Sequence, residues 1–346
     1  MLKKTIFEIP LPYRENMRIT AFLFGQTEDG RILGVDAGEE DLDSFEKSIA
    51  FVAGMRGNEV QQTFICSQLV HKLRKIEARG DITPGKLVVV VPCVNPPSMN
   101  VGKRFWMGDN TDVNRMMPGY NLGETTQRIA DGVFSAGQGF KYGVHFSSYY
   151  LEGNFLPHVR IMRCEDGNME DNGEAFGLPY ITRHIPGSFD TTTLHYNWRL
   201  WDTEAYTLYT METDVIDTES ADVMVRACLR FMDAQGIIYH PCHQGMRSTE
   251  FSEHLLVAVH AECGGFFIPE AKLGDLVAAD EEIARIIDPL SGEVKGVVRA
   301  PQGGVVFFVC STPTVYEGTM AFEIVPRDVN EHAEDEPRGN FLDPEA

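Results

Sequence analysis

The sequence lacks a long apolar run. Its longest apolar stretches, such as Leu87 to Pro92 and Val305 to Cys310, are far shorter than the roughly 20 residues that a membrane-spanning helix needs. Residues 1–17 contain two lysines but neither an apolar core nor a small-residue cleavage site, so we predict no signal peptide. These absences predict a cytoplasmic protein without a membrane partner.

Basic residues are also scarce. The chain has 30 Lys and Arg against 51 Asp and Glu, a formal net charge of −21. Nucleic acids and anionic membranes both require a basic surface, so this balance argues against them as partners. It does not exclude a small anionic substrate, because a pocket can be locally positive on an acidic protein. The sequence leaves a homo-oligomer open.

Cysteine pairs are absent as well. The seven cysteines are scattered, odd in number and free of any Cys-x-x-Cys spacing, which predicts reduced thiols rather than a disulfide framework. The chain is 43% hydrophobic and 23% charged, as in an ordinary globular protein. Its 346 residues are enough for two domains.

Strand and helix patterns alternate over residues 1–240. Strand patterns at residues 5–35 are followed by "KSIAFVAG", "KLVVVVP", "FKYGVHFSSYY" and "AYTLYTM". Between them, helices are predicted at about 58–78, 124–136 and 220–234. This alternation predicts an α/β domain with a parallel or mixed sheet flanked by helices.

The pattern changes after Gly236. Short β runs broken by Gly-Gly and Pro predict a small all-β domain, a barrel or sandwich, over residues 245–326. Residues 327–346 hold seven acidic and two basic residues and little to bury, so they are predicted to be an acidic tail.

The stretch from residue 93 to residue 128 is an unusually long connection, and such loops are usually functional. It carries basic and amide side chains that suit the capture of a carboxylate: Lys103, Arg104, Arg115 and Arg128, with Asn95 and Asn114, beside Asp112. The alternative is that these arginines pair with the many nearby acids.

Several motifs, in this order along the chain, resemble the succinylglutamate desuccinylase/aspartoacylase family. They are "GMRGNE", "VPCVNPPSMNVGKR", "DVNRMMPG", a histidine at the end of a strand, "PHVR" and "VRAPQGGVV…VYEG". The resemblance implies a zinc carboxypeptidase-like mixed sheet, with residues 1–240 as the catalytic domain.

The resemblance also implies a site. Zinc would be held by a His-x-x-Glu pair and a later histidine, and Glu59 and His145 fall on the glutamate and that histidine. Asn114 and Arg115, with Arg104 before them, fall on residues that hold the carboxylate of the substrate. Three protein ligands would leave one coordination place for an activated water.

Three positions depart from the family pattern. Arg56 stands where the first histidine ligand is expected, and a guanidinium has no lone pair for a metal. Gly143 stands where members often have an acid. The catalytic Thr-x-Glu aligns without a gap onto Tyr209, which we favour, or, shifted by three residues, onto Glu212. A shift of three reverses the face of a strand, so only one alignment can hold.

Two hypotheses about the site follow. Either Arg56 pairs with Glu59 in the place of zinc, or a metal binds through an additional ligand such as His240 or His243. The corresponding functions are a metal-dependent hydrolase, a deacylase or amidohydrolase of a small N-acylated carboxylate, and an inactive or metal-free relative. The relative would bind an anionic small molecule in the same pocket over Arg56, Arg104 and Arg115.

Overall fold

The structure is a computed structural model and describes residues 1–11, 13, 15–163 and 171–326. The acidic tail predicted at 327–346 lies outside the described residues. The six cysteines that are described are all free. No helix in these ranges is both long and apolar enough to cross a membrane.

Five α-helices occur in the described part of the chain. They are α1 (Val60–Ala78), α2 (Pro96–Asn100), α3 (Thr125–Gly137), α4 (Leu194–Leu200) and α5 (Thr218–Ala234). Helices α1, α3 and α5 are the three that the hydrophobic pattern predicts, each within two residues at either end. Helix α2 is short and lies inside the long 93–128 connection, where the sequence predicts only irregular chain.

The strands of the first three quarters of the chain are β1 (Leu2–Pro10), β2 (Asn16–Gly25), β3 (Glu46–Val52), β4 (Lys86–Val91), β5 (Tyr142–Ser147), β6 (Gly153–Phe155), β7 (His158–Met162), β8 (Tyr180–His184), β9 (Glu204–Tyr209) and β10 (Thr249–Ser252). All but β6 form one nine-stranded sheet in the order β1-β2-β4-β3-β5-β9-β7-β8-β10. The sheet is mixed, because β3 runs parallel to β4 and β5 while β1, β2 and β7 pair antiparallel with neighbours.

Helices cover both faces of this sheet. On one face, α1 and α5 pack on each other and on alternate strand residues such as Phe51, Val90 and Val144. On the other, α3 and α4 cover Ala50, Val52 and their neighbours. The central strands are therefore buried on both sides, which explains why "KLVVVVP" is a continuous apolar run. The predicted α/β fold is confirmed.

The remaining strands are β11 (Val257–His260), β12 (Gly265–Pro269), β13 (Leu276–Val277), β14 (Glu282–Ile287), β15 (Val294–Arg299), β16 (Gly304–Cys310), β17 (Thr314–Val315) and β18 (Met320–Pro326). With β6 they form a five-stranded and a four-stranded antiparallel sheet around a third apolar core.

The N-terminal and C-terminal parts of the chain each contribute one strand to a sheet of the other part. Strand β6 precedes the predicted boundary at 245 but pairs with β16, and β10 follows that boundary but pairs with β8 in the large sheet. The division into domains at 1–240 and 245–326 stays a prediction.

Candidate functional site

Three neighbouring strands, β5, β9 and β7, provide the floor of a cavity. In the pairing register, His145 and Ser147 of β5 lie opposite Thr207 and Tyr209 of β9. On the other side of β9, Thr207 lies opposite Arg160 of β7. Paired residues of adjacent strands point to the same face, so these five side chains project together.

The cavity above this floor has a volume of about 170 Å³. One wall is the segment that follows β5, residues 148–151. The long 93–128 connection contributes Asn114 and Arg115. The chain that leads into α4 contributes Asp190 and Thr193, and the first turn of α4 contributes His195. The cavity therefore collects polar side chains from loops at the carboxyl end of parallel strands, where α/β sheets usually bind ligands.

Arg56 lines the cavity and is 2% exposed. Its Nε and Nη2 donate to Asp112 Oδ2 at 3.2 and 2.9 Å, and its Nη1 donates to the carbonyl of Ser148 at 2.5 Å. Burial lowers the pKa of Arg56, but the charges of Asp112 and Glu59 outweigh it, and the pKa is raised overall. Arg56 is thus a permanently charged group with its donors already engaged.

Glu59 is fully buried at the N-terminal end of α1, where the helix dipole favours a carboxylate. Its Oε1 accepts hydrogen bonds from the backbone and hydroxyl of Ser148, and its Oε2 accepts one from the backbone of Arg56. The expected contact with the Arg56 guanidinium is present at 3.5 Å, but Asp112 is the closer partner of that cation. Burial raises the pKa of Glu59 despite these donors and the charge of Arg56.

The glycines of the "GMRGNE" loop permit this arrangement. Gly54 adopts a left-handed φ of 65° directly after β3. A Cβ atom on Gly57 would lie 2.2 Å from the carbonyl oxygen of Lys103, so only glycine allows the loop to approach the chain after α2 this closely.

Tyr150 gathers three arginines around one ring. The guanidinium carbons of Arg56, Arg104 and Arg115 lie 4.7, 5.1 and 5.0 Å from its ring centre. Its hydroxyl donates to Asp112 at 2.5 Å and accepts from Arg115 Nε at 3.2 Å. The ring face and the Asp112 carboxylate together offset the repulsion among three like charges.

The three arginines differ in which of their donors are engaged and in whether they line the cavity. Arg104 donates to the carbonyls of Tyr149 and Tyr150 and does not line the cavity. Arg115 uses Nε on Tyr150 and Nη1 on the carbonyl of Phe189, so its Nη2 has no partner among the described residues. Beside it, Asn114 accepts from the backbone of Leu194 through Oδ1, which leaves its Nδ2 as a donor.

Two buried histidines face the cavity. His145 is 1% exposed and its Nε2 has no hydrogen-bond partner among the described residues. Burial and the nearby Arg56 lower the pKa of His145 to about 3, so the ring is neutral. His195 accepts from the backbone of Met162 at Nε2 and therefore carries its proton on Nδ1, which donates to Thr207 Oγ1 at 2.6 Å. The Thr207 hydroxyl keeps its own proton for another acceptor.

Tyr209 projects into the cavity, whereas Glu212 does not line it. Tyr209 stacks on His158 with ring centres 5.0 Å apart, and burial raises the pKa of its phenol. Glu212 lies beyond the end of β9, where its Oε1 accepts from Asn154 Nδ2 at 2.9 Å. Of the two alignments, the ungapped one, with Tyr209, puts its residue at the floor of the cavity.

A chain of charged side chains connects Arg160 on the cavity floor with Asp190. Arg160 binds Glu253 through two hydrogen bonds of 2.6 and 3.0 Å, and Glu253 contacts His184 Nδ1 at 2.8 Å. His184 Nε2 in turn contacts Asp190 Oδ2 at 2.9 Å. Burial raises the pKa of Asp190, but hydrogen bonds from His184 and the backbone of Gly187 outweigh it and lower the pKa overall. Asp190 thus places a carboxylate on the cavity wall.

A comparison with known families matches part of the chain. Residues 46–146 match the model of the succinylglutamate desuccinylase/aspartoacylase catalytic domain. That range holds β3 to β5, the "GMRGNE" loop, the long connection and His145. The family resemblance is confirmed. No curated protein matches the chain by sequence.

Solved structures of the succinylglutamate desuccinylase/aspartoacylase type share the fold. A succinylglutamate desuccinylase from Silicibacter sp. TM1040 superposes with a TM-score of 0.73 at 18% identity, covering 94% of each chain. A Rhodobacter sphaeroides succinylglutamate desuccinylase/aspartoacylase gives 0.72 at 16% identity, covering 94% of this chain and 95% of its own. The product-bound ectoine utilization protein EutE from Ruegeria pomeroyi gives 0.70 at 17%, covering 92% and 93%. At such identities the likeness is one of fold.

The zinc that the desuccinylase/aspartoacylase resemblance implies does not fit the residues around Glu59. Both oxygens of that carboxylate accept hydrogen bonds, and the Arg56 guanidinium lies 3.5 Å away. A divalent ion about 4 Å from a guanidinium would be repelled by roughly 8 kcal/mol at an effective dielectric constant of 20. The described ranges hold no group of three or more His, Cys, Asp or Glu side chains suited to a metal ion.

The additional metal ligands considered from the sequence lie elsewhere. His240 and His243 are in the irregular segment between α5 and β10 and do not line the cavity.

The glycine that departs from the family pattern has a packing reason. A Cβ atom on Gly143 would lie 2.5 Å from the ring of Trp198, which is fully buried on α4. The space that an acid would need beside His145 is therefore filled by an indole ring. Trp198 is distant in sequence, so the pattern around Gly143 gives no sign of it.

The structure brings together most of the residues singled out from the sequence. Arg56, Asn114, Arg115, His145 and Tyr209 line the cavity, Glu59 lies directly behind Arg56, and Arg104 and Glu212 lie outside the lining. Other residues at the cavity were not predicted from the sequence, among them Tyr150, Ser148, Asp190 and His195. For Tyr150 there was one signal, an aromatic pair directly after the strand that carries His145.

Proposed function

We propose that this protein, of the desuccinylase/aspartoacylase type in motif and fold, binds a small N-acylated carboxylate in the cavity beside Arg115. No zinc held by Glu59 and His145 takes part in this binding. The observation that carries the proposal is the buried Arg56–Asp112 ion pair, which puts a guanidinium where a metal ligand is expected.

The donors that face the cavity support a carboxylate as the bound group. Arg115 Nη2 and Asn114 Nδ2 come from consecutive residues, and neither has a partner among the described residues. A guanidinium beside an amide can bind both oxygens of one carboxylate through charge-assisted hydrogen bonds. Deeper in the cavity, the unpartnered His145 Nε2 and the Thr207 hydroxyl can bind the acyl amide.

Hydrolysis of the acyl-amide bond is the second candidate function, and the match of residues 46–146 to a catalytic-domain model favours it. Against it, the cavity offers a phenol, Tyr209, where the family resemblance expects a glutamate base. Glu212, the other residue considered for this role, contacts Asn154 instead. The side chains present therefore support binding better than they support activation of water.

Calorimetric titration with N-acetyl-L-asparagine and related N-acetyl amino acids tests the first function, in buffer with EDTA and in buffer with zinc. Binding that is equal in both buffers supports the proposal, and binding that requires zinc overturns it. A parallel assay of free amine release tests hydrolysis, and turnover in either buffer would establish the second candidate. The cytoplasmic location and a homo-oligomer stay predictions from the sequence.

A further inference from the structure

Two hydroxyl groups of β9 lie on the floor of the cavity. Thr207 and Tyr209 are alternate residues of one strand, so their side chains project to the same face, and both line the cavity. A hydroxyl can donate one hydrogen bond and accept others, and its neighbours decide which role remains for a ligand. The roles of these two hydroxyls therefore follow from the groups that already contact them.

His195 occupies the acceptor side of Thr207. The ring is 1% exposed and neutral, because burial holds the pKa of His195 well below its usual range. Its Nε2 accepts from the backbone of Met162 at 3.4 Å, so the one ring proton is on Nδ1 and is donated to Thr207 Oγ1 at 2.6 Å. Within the described ranges, no acceptor takes the proton of the Thr207 hydroxyl. That proton is available to a ligand.

Arg160 contacts the hydroxyl of Tyr209 in the same sense. Burial raises the pKa of the Tyr209 phenol, and the charge of Arg160 and a hydrogen bond from its guanidinium act in the opposite direction without reversing the shift. The phenol therefore keeps its proton at neutral pH. A guanidinium donates and cannot accept, so Arg160 leaves that proton free. The part of the chain that the structure describes offers it no acceptor.

Other polar groups of the cavity differ from this pair. Tyr149 packs on Tyr209 with ring centres 4.0 Å apart, and its hydroxyl contacts His158 Nε2 at 3.2 Å. Because His158 Nδ1 donates to the carbonyl of Leu156 at 2.7 Å, Nε2 must accept, and the proton of Tyr149 is committed. His145 adds no fixed polarity, since its Nε2 has no partner among the described residues.

We propose that Thr207 and Tyr209 form a donor pair that selects a ligand with a proton-free oxygen at the cavity floor, the carbonyl oxygen of an N-acyl group, and that His195 is the positioning residue for Thr207. This inference rests on the proposed function, because it specifies how the same cavity recognises the acyl amide. Ser147 on β5 donates to a backbone carbonyl at 3.4 Å and so presents an acceptor, which suits the amide N–H.

A change of one atom in the ligand tests the donor pair. N-acetyl-L-asparagine and its thioacetyl analogue differ only in the acyl oxygen, which becomes a sulfur, and sulfur is a weak hydrogen-bond acceptor. In calorimetric titrations of the full chain, we expect the oxygen compound to bind roughly tenfold more tightly. Equal affinity, or tighter binding of the sulfur compound, would overturn the inference while the proposed function stands. If neither compound binds, the proposed function fails and the inference with it.

Two tyrosine variants locate the selectivity for oxygen. Tyr209→Phe removes a free donor and keeps the ring, so the ratio of the two affinities should fall from about tenfold to about threefold. Tyr149→Phe is the matched control: it removes a hydroxyl whose proton is committed to His158, and the ratio should stay near tenfold. An unchanged ratio in a folded Tyr209→Phe variant would contradict the role of Tyr209. The ratio in the unmodified chain tests the donor pair whether or not a variant folds.

A pair of variants at His195 tests its positioning role. The amide of His195→Asn can still donate to Thr207, so the ratio should stay near tenfold. His195→Leu cannot donate, which allows the Thr207 hydroxyl to turn, and the ratio should fall to about threefold. A merely structural role would weaken the binding of both compounds equally in both variants. Equal ratios in folded His195→Asn and His195→Leu would therefore overturn the assignment of His195.

Discussion

Replacing Arg56 by methionine removes the buried cation that Asp112 and Glu59 share. The Arg56 Nη2–Asp112 Oδ2 distance of 2.9 Å corresponds to an attraction of about 6 kcal/mol at an effective dielectric constant of 20. Part of this offsets the cost of burying both charges. Removing one partner of a buried pair usually costs about 3–5 kcal/mol, and we expect a loss in that range here. Such a loss is a large share of the stability of a typical domain.

The loss of stability in Arg56→Met should depend on pH. Burial raises the pKa of Asp112, but Arg56 and the hydroxyl of Tyr150 outweigh it and lower the pKa overall. A depressed carboxyl pKa contributes stability above the pKa of the unfolded chain, about 3.9, and that contribution is lost as the pH falls through the folded value. The difference between Arg56→Met and the unmodified chain should therefore be largest near pH 7 and shrink below about pH 4.

Urea denaturation followed by circular dichroism measures the effect, with the double variant Arg56→Met/Asp112→Asn as the critical comparison. The double variant no longer leaves Asp112 as an uncompensated buried charge, so it should recover at least about 1 kcal/mol relative to Arg56→Met. Lys295→Met, which removes an exposed cation far from the cavity, controls for loss of positive charge on an acidic chain. A loss below about 1 kcal/mol in Arg56→Met, or a double variant less stable than the single one, would refute the reasoning.

Three further predictions concern the same site. Arg56→His should not produce zinc-dependent hydrolysis of N-acetyl-L-asparagine, because the cavity would still lack a glutamate base; zinc-dependent release of amine would contradict this. Arg115→Lys should weaken ligand binding roughly tenfold, since an ammonium cannot replace the planar fork. The control Arg104→Lys should lower the melting temperature but leave the dissociation constant within a factor of about two, and the reverse pattern would show that the two arginines have been assigned the wrong roles. Gly143→Asp should destabilise the fold by about 2 kcal/mol or more, because the new Cβ would overlap the ring of Trp198. A melting temperature equal to that of the unmodified chain would show that the indole can move aside.

Local patterns were enough to predict the fold class and the strands β3, β4, β5 and β9 of the large sheet, but not its strands β7 and β8. The periodicity of the helices and the uninterrupted apolar run of β4 depend only on neighbours in sequence, and each of these elements is present. Helix α2 escaped prediction because it is short and opens with two prolines inside an irregular loop. Strand β10 escaped because its place in the large sheet depends on β8, nearly seventy residues earlier.

The site was only partly predictable, because several of its contacts join residues that are far apart in the sequence. The order of motifs was sufficient to put Glu59, Asn114, Arg115 and His145 in one region. The contact of Arg56 with Glu59 was predicted, but its closer partner, Asp112, was not. The chain has 51 acidic residues, and the contact with Asp112 depends on how two loops approach each other. The choice between Tyr209 and Glu212 required the register of β9 against β5 and β7, which no short pattern specifies.

The ion pair between Arg160 and Glu253 limits how this protein could be divided into separate fragments. Glu253 follows β10 and therefore belongs to the C-terminal part of the chain, yet it fixes an arginine on the cavity floor. A fragment that ended at the predicted boundary would keep the floor but leave Arg160 and His184 without their shared carboxylate. The two parts therefore cannot be exchanged between relatives as independent modules, because substitution at position 253 on one side must be matched at position 160 on the other.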